Sequence, residues 1–254
     1  MKLIVGNWKM YPKTLIEAKE IFAGEKKVAR TMNKAKAVIC PPHIFVATFA
    51  QGALGTKALA IGAQNVFYED EGARTGETSP VQIASVGATY VILGHSERRA
   101  LGESDELIAK KAVAANKAKL TVILCVGEKG RDEAGSYFNE VRKQLRESLE
   151  GFPKDGSKRL IIAYEPIWAI GAKASRPATP EDFHEMSILI KRHLVEQFGK
   201  TSGFRVPILY GGSVDEKNAE GFLKEGGADG LLVGRVSLDP TRFGAIMKLA
   251  DKLT

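Results

Sequence analysis

RLIIAYEP, residues 159–166, decides the reading of the chain. Its interior, Leu160-Ile161-Ile162-Ala163, is apolar at every position, not at every second one. A strand with one wet face would alternate; a short, continuously apolar run suits a strand buried on both faces of a parallel sheet. Seven further runs share this character: KLIVGNW (2–8), KAVICP (36–41), LAIGAQN (59–65), YVILGH (90–95), LTVILCVGE (120–128), VPILYGG (206–212) and DGLLVGR (229–235). Between them lie amphipathic stretches with apolar residues three and four apart, such as 14–32, 105–118 and 134–150. Thr179-Pro180-Glu181-Asp182 reads as a helix start, with an N-cap threonine, proline at the first helical position and acids in the first turn. That helix should run to about Phe198, where Gly199 stops it. Eight strands, each followed by a helix and joined by right-handed crossovers, predict a closed parallel (β/α)8 TIM barrel. No linker-like tract divides the chain, so residues 1–254 are expected to form a single domain.

Composition narrows the function. Hydrophobic residues make up 44% and charged residues 26%, the balance of an ordinary soluble protein. No apolar run approaches the ~20 residues of a membrane span. The short apolar run after Lys2 is too brief for a signal-peptide core, so a cytoplasmic location is expected. The net charge of +7 is scattered along helical stretches among acids, and no aromatic residues interleave it; nucleic acid is not an expected partner. Cys40 and Cys125 show no metal-ligand spacing, and the four histidines form no zinc motif; neither metal nor cofactor is expected.

A barrel of this kind carries its active site at the C-terminal ends of the strands. The polar residues at those ends are Asn7 and Lys9, His95 with Ser96 and Glu97, and Glu165. Gly211-Gly212-Ser213 and Gly234-Arg235 follow the last two strands. A carboxylate beside an imidazole is a candidate general base, and Gly-rich turns after the seventh and eighth strands form the usual barrel cradle for a phosphate. Each residue alone has an ordinary alternative: a solvated glutamate, a core histidine, a surface lysine, a turn glycine. Their convergence on one mouth carries the reading. Residues 66–79, VFYEDEGARTGETS, form an unusually long connection, which in a compact domain is functional or an interface.

Several segments then read together. GNWKM (6–10), QNVFYEDEGARTGETSP (64–80), VILGHSERR (91–99), LCVGE (124–128), AYEPIWAIG (163–171), YGGSV (210–214) and LLVGRVSL (231–238) resemble, in order and over nearly the whole chain, the triosephosphate isomerase family. The resemblance implies a cofactor-free aldose–ketose isomerase of glycolysis and gluconeogenesis. It interconverts dihydroxyacetone phosphate and D-glyceraldehyde 3-phosphate through an enediolate. Glu165 matches the base, and His95 the neutral imidazole that polarises the carbonyl. Lys9 matches the cation at the enediolate, held by Glu97, with Asn7 beside it. Gly171, Ser213, Gly234 and the N–H of Arg235 match phosphate-binding groups. Cys125 matches a cysteine of mainly structural use. Thr75 matches a loop tip that enters a partner subunit's site, which implies a homodimer.

The sequence departs from the family in two places. The loop tip after the sixth strand reads Gly171-Ala172-Lys173-Ala174-Ser175-Arg176-Pro177 instead of Gly-Thr-Gly-Lys, which alters the C-terminal hinge while leaving Pro166-Ile167-Trp168 intact. Arg235 replaces a glycine; its N–H still serves if its φ is negative, and its side chain either adds charge near the phosphate or points to solvent. Two competing readings are another phosphate-binding barrel isomerase, which needs a different acid–base pair, and a barrel that has lost catalysis. The second predicts substitution at Asn7, Lys9, His95 or Glu165, and all four are present.

Overall fold

The computed structural model describes residues 1–171 and 174–254. Among these, the chain runs β1 (Leu3–Asn7), α1 (Leu15–Ala29), β2 (Lys36–Cys40), α2 (His43–Ala53), β3 (Leu59–Ala63), α3 (Pro80–Ser85), β4 (Tyr90–Leu93), α4 (Ser96–Ala100) and α5 (Asp105–Lys117). It continues through β5 (Thr121–Val126), α6 (Ser136–Ser148), β6 (Leu160–Tyr164), α7 (Pro180–Phe198), α8 (Lys200–Arg205), β7 (Ile208–Tyr210), α9 (Ala219–Lys224), β8 (Gly230–Val233) and α10 (Pro240–Lys252). The strands close in sequence order into a parallel barrel, as the apolar runs predict. Closure is made at β1, where Leu3 faces Lys36 of β2 on one side and Gly230 of β8 on the other.

Successive side chains on a strand point to opposite faces, so a closed sheet sorts its residues into an inner and an outer set. Leu3 and Val5 pack with Val38, Ile92, Ile123, Ile161, Ala163 and Leu209 in one buried cluster inside the barrel. Ile4, Ile39, Leu160 and Ile162 join the larger cluster between the strands and the helices. This explains why the runs are continuously apolar: both faces of each strand are core.

The helices begin where local chemistry allows. Thr14 caps α1 by accepting the Glu17 N–H, and Ser79 with Gln82, like Thr179 with Asp182, forms a reciprocal capping box. The expected helices over 14–32 and 134–150 are shorter, at Leu15–Ala29 and Ser136–Ser148. Gly199 ends α7, but the chain turns there at φ +84° and re-enters a helix, α8, which the sequence reading did not foresee.

The closure has a tight point. A Cβ at Gly230 would lie 1.9 Å from the Leu3 carbonyl oxygen, a backbone atom that cannot yield without parting β8 from β1. Gly230→Ala should therefore cost about 3 kcal/mol, the upper end for an overpacked site, and lower the melting temperature by roughly 6–12 °C. A thermal melt within 2 °C of the wild type would contradict this account of closure.

Candidate active site

The alternation that builds the core also delivers the polar residues to the mouth. Asn7 and Lys9 continue the inward series of Leu3 and Val5, and Glu165 continues that of Ile161 and Ala163. On β4 the series is broken by Gly94, whose φ is +67°, and the next residue, His95, becomes the N-cap of α4. Asn7, Lys9, His95, Glu97 and Glu165 line one cavity of about 520 Å³, and Gly171, Ser213, Gly234 and Arg235 line its other side. Thr75 does not line this cavity; it is exposed within the 66–79 connection.

The imidazole's protonation pattern follows from its contacts. His95 Nδ1 accepts the Glu97 backbone N–H at 3.2 Å, so that nitrogen carries no proton. The ring is then a neutral Nε2–H tautomer, and Nε2 lies 3.1 Å from Glu165 Oε1. The 3.7 Å approach of Glu97 Oε2 to Nδ1 is for the same reason not an ion pair. Glu165 is 2% exposed, and its Oε2 accepts the Ser96 N–H at 2.9 Å. Both oxygens of the carboxylate are thus engaged, and a ligand must compete for them. Behind it, burial pushes the Cys125 thiol well above its ordinary range and the adjacent Glu165 carboxylate adds to the shift, which keeps the thiol neutral and inert.

Lys9 is held in an unusual conformation. Its φ is +51°, a left-handed value that costs a lysine on the order of 1 kcal/mol. Two hydrogen bonds fix it: its N–H donates to Asn7 Oδ1 at 3.0 Å, and its carbonyl accepts from Gln64 Nε2 at 2.9 Å. Its Nζ lies 2.5 Å from Glu97 Oε1. With side chains 24% and 58% exposed, that pair adds about 1 kcal/mol of stability at most, so its main effect is to orient the ammonium.

On the opposite side, Ser213 Oγ donates to the Ala169 carbonyl at 3.0 Å, tying the turn after β7 to the chain after β6. Arg235 opens the 3-10 turn Arg235–Leu238, and its φ is not positive, so its backbone meets the condition for presenting an N–H. Its exposed side chain lines the cavity, which places charge and solvent at one rim.

A base, a neutral imidazole and an ammonium around a cavity with Gly-rich turns can move a carbon-bound proton beside a carbonyl. A family model described as triosephosphate isomerase matches residues 2–250. The chain belongs to the triosephosphate isomerase family. It is 41% identical over 249 residues to the triosephosphate isomerase of Dictyoglomus thermophilum, covering 97% of this chain and 98% of that one. It is 44% identical over 250 residues to that of Aquifex aeolicus, with 97% and 98% covered. Among solved structures, the triosephosphate isomerase of Bartonella henselae superposes with a TM-score of 0.82 at 33% identity, covering 98% of each chain.

Several supporting residues escaped the sequence reading. Gly127 lies against Glu165: a Cβ there would sit 1.8 Å from the Glu165 carbonyl oxygen. Glu128 is fully buried, and its Oε1 accepts from Tyr164 Oη and Trp168 Nε1, both at 2.7 Å, and from Arg131 Nε at 3.2 Å. Two guanidiniums approach the Trp168 ring, Arg131 at 5.2 Å and Arg176 at 4.5 Å from its centre. Arg176 also pairs with both oxygens of Asp182, at 2.6 and 2.8 Å, and holds that carboxyl below its usual range. Ala172 and Lys173, part of the altered C-terminal hinge, lie outside the described residues. LCVGE and AYEPIWAIG signalled Glu128, Tyr164 and Trp168 as parts of family segments, but not their meeting with Arg131 and Asp182, since these residues are far apart in the chain.

Arg131 compensates the charge on buried Glu128. Arg131→Leu should therefore destabilise the protein by about 3 kcal/mol in denaturant unfolding, by stranding a carboxylate in the core. Glu128→Gln combined with Arg131→Leu should recover much of that loss; a double variant worse than the single one would refute the compensation.

Proposed function

We propose that this chain interconverts dihydroxyacetone phosphate and D-glyceraldehyde 3-phosphate, with Glu165, His95 and Lys9 as the reacting groups. The observation that carries this is His95 accepting the Glu97 N–H at Nδ1 while its Nε2 lies 3.1 Å from Glu165 Oε1, in a cavity shared with Lys9. Glu165 takes a proton from the carbon next to the carbonyl, and the C–H electron pair becomes the double bond of an enediolate. His95 Nε2–H and the Lys9 ammonium face the oxygen on which negative charge grows. The protonated Glu165 then returns its proton to the neighbouring carbon, while His95 passes a proton between the two oxygens. Every proton removed is put back, so no net oxidant, reductant or cofactor is required. Asn7 and Glu97 hold Lys9 in place. Gly171, Ser213, Gly234 and the Arg235 N–H receive the phosphate, whose binding energy is remote from the reacting carbons. In water an enediolate can expel its phosphate; Ile170 and Gly171, at the cavity edge, are the residues placed to cover it and exclude water.

A coupled assay with dihydroxyacetone phosphate tests the activity directly. Glu165→Asp retracts the base by roughly an ångström, which should lower kcat about a hundredfold while changing KM little. Turnover within twofold of the wild type would remove Glu165 from this role.

We further infer a homodimer in the cytoplasm. The 66–79 connection is tied at its base, where Phe67 N–H donates to the Thr78 carbonyl at 2.8 Å, and its residues 71–77 are exposed. Met10, Ile44 and Leu101 are 92%, 81% and 83% exposed, large apolar side chains of the kind a second copy would cover. Beside the active site lies a cavity of about 370 Å³ lined by Asn7, Lys9, His43, Gln64, His95 and Glu97, which Thr75 of that copy would enter. As to location, the apolar N-terminal run forms β1, and among the described residues no helix is long and apolar enough to cross a membrane. Sedimentation should give twice the chain mass, and shortening the 66–79 connection should give a monomer of low activity; a fully active native monomer would rule the dimer out.

A further inference from the structure

Glu25 is a buried acid that the proposed chemistry does not use. It lies on α1, outside the barrel wall, and is 0% exposed. Its Oε1 accepts the indole Nε1–H of Trp8 at 3.2 Å, while its Oε2 is buried without a hydrogen-bond partner among the described residues. Trp8 is itself fully buried and meets Phe49 edge-on, with ring centres 5.4 Å apart. Phe49 in turn stacks on Phe22, which lies one turn before Glu25 on α1. Trp8 is also the residue immediately before Lys9.

We propose that Glu25 is a positioning residue for Lys9, acting through the Trp8 indole. Lys9 stands at φ +51°, a conformation its own side chain disfavours, so its neighbours must hold it there. The backbone there is hydrogen-bonded at two points, the Trp8 N–H donating to the Cys40 carbonyl at 3.1 Å and the Lys9 carbonyl accepting from Gln64, but neither bond holds the Trp8 side chain. What keeps the Trp8 ring from turning is its packing and the bond to Glu25. An indole N–H is the one polar handle of that side chain and cannot be left unsatisfied in a dry core without cost. Without its acceptor the ring tilts toward another, and the strand end that carries Lys9 moves with it. Displacements of an ångström at such a group change rates by orders of magnitude.

Burial explains why an acid can serve here. It pushes the Glu25 carboxyl well above the ordinary range, which favours the neutral acid. A neutral carboxyl offers the indole a carbonyl-type acceptor without placing a charge in the core. Glutamine has nearly the same shape and the same acceptor, and leucine has the shape alone.

The inference rests on the role assigned to Lys9, so the experiment separates the two. Isomerase kinetics are measured for Glu25→Gln, Glu25→Leu, Trp8→Phe, the double variant Glu25→Leu/Trp8→Phe, and Lys9→Ala, each confirmed as folded by circular dichroism. Glu25→Gln should stay within about twofold of the wild type in kcat. Glu25→Leu should lose about tenfold in kcat with KM changed less than twofold, and competitive inhibition by inorganic phosphate, which reports the far side of the cavity, should be unchanged. The double variant should be no slower than Trp8→Phe alone, because the donor and its acceptor are then both gone. If Glu25→Leu does not fold, Trp8→Phe alone decides: kcat and KM both unchanged would overturn the inference, and a loss confined to kcat would support it. A folded Glu25→Leu with wild-type kcat, or a loss equal to that of Glu25→Gln, overturns it while leaving Lys9 in its role. Wild-type turnover in Lys9→Ala would instead overturn the reading on which the inference stands.

Discussion

Everything in this molecule depends on the pairing of β8 with β1. An open parallel sheet would have two edges and two equivalent faces. Once Gly230 meets Leu3, the faces become an inside and an outside, and every second residue is committed to one of them. Side chains as different as Leu3 and Lys9, or Ile161 and Glu165, are then related by nothing more than two-residue steps. The apolar members fill the barrel; where β1 and β6 run out, the same step places Asn7, Lys9 and Glu165 over the filled core. Just past the end of β6 the backbone is packed as tightly as the wall: a Cβ at Gly127 would meet the Glu165 carbonyl oxygen.

The chemistry at the mouth depends on which protons are already spoken for. A histidine with both nitrogens free could carry charge and would then hold Glu165 as a salt bridge. The Glu97 N–H removes that option by occupying Nδ1. The Lys9–Glu97 pair works differently: it is too exposed to stabilise the fold by much, yet it sets the direction of the ammonium. One contact selects a protonation state and the other selects an orientation, and both use the short α4 segment that follows β4.

The barrel was legible in the sequence because its cause is local: a continuously apolar run such as 159–166 can be satisfied only between two layers. Asn7, Lys9, His95 and Glu165 were legible for the same reason, as polar residues at the ends of such runs, and family segments then gave them roles. What could not be read arises from contacts between distant residues. Glu25 reaches Trp8 across 17 positions, and Glu128 meets Tyr164 and Trp168 across 36 and 40. Nothing in the residues around Glu25 distinguishes a buried acid from a solvated one on an amphipathic helix. The α8 segment was missed because a glycine that ends one helix also permits the bend from which another begins.

Asp182 has a consequence of its own. One carboxylate completes the capping box of α7, receives Arg176 and receives Arg131, so three neighbouring segments share a single anionic tether. Because Arg176 holds this carboxyl below its usual range, the tether is whole at pH values above the ordinary carboxylate range and is lost as acidification reaches the lowered value. A single added proton would weaken the helix start and the Arg176 guanidinium over Trp168 together, while Arg131 stays held by Glu128 and Glu185, so acid should loosen this corner of the molecule before it reaches the barrel beneath.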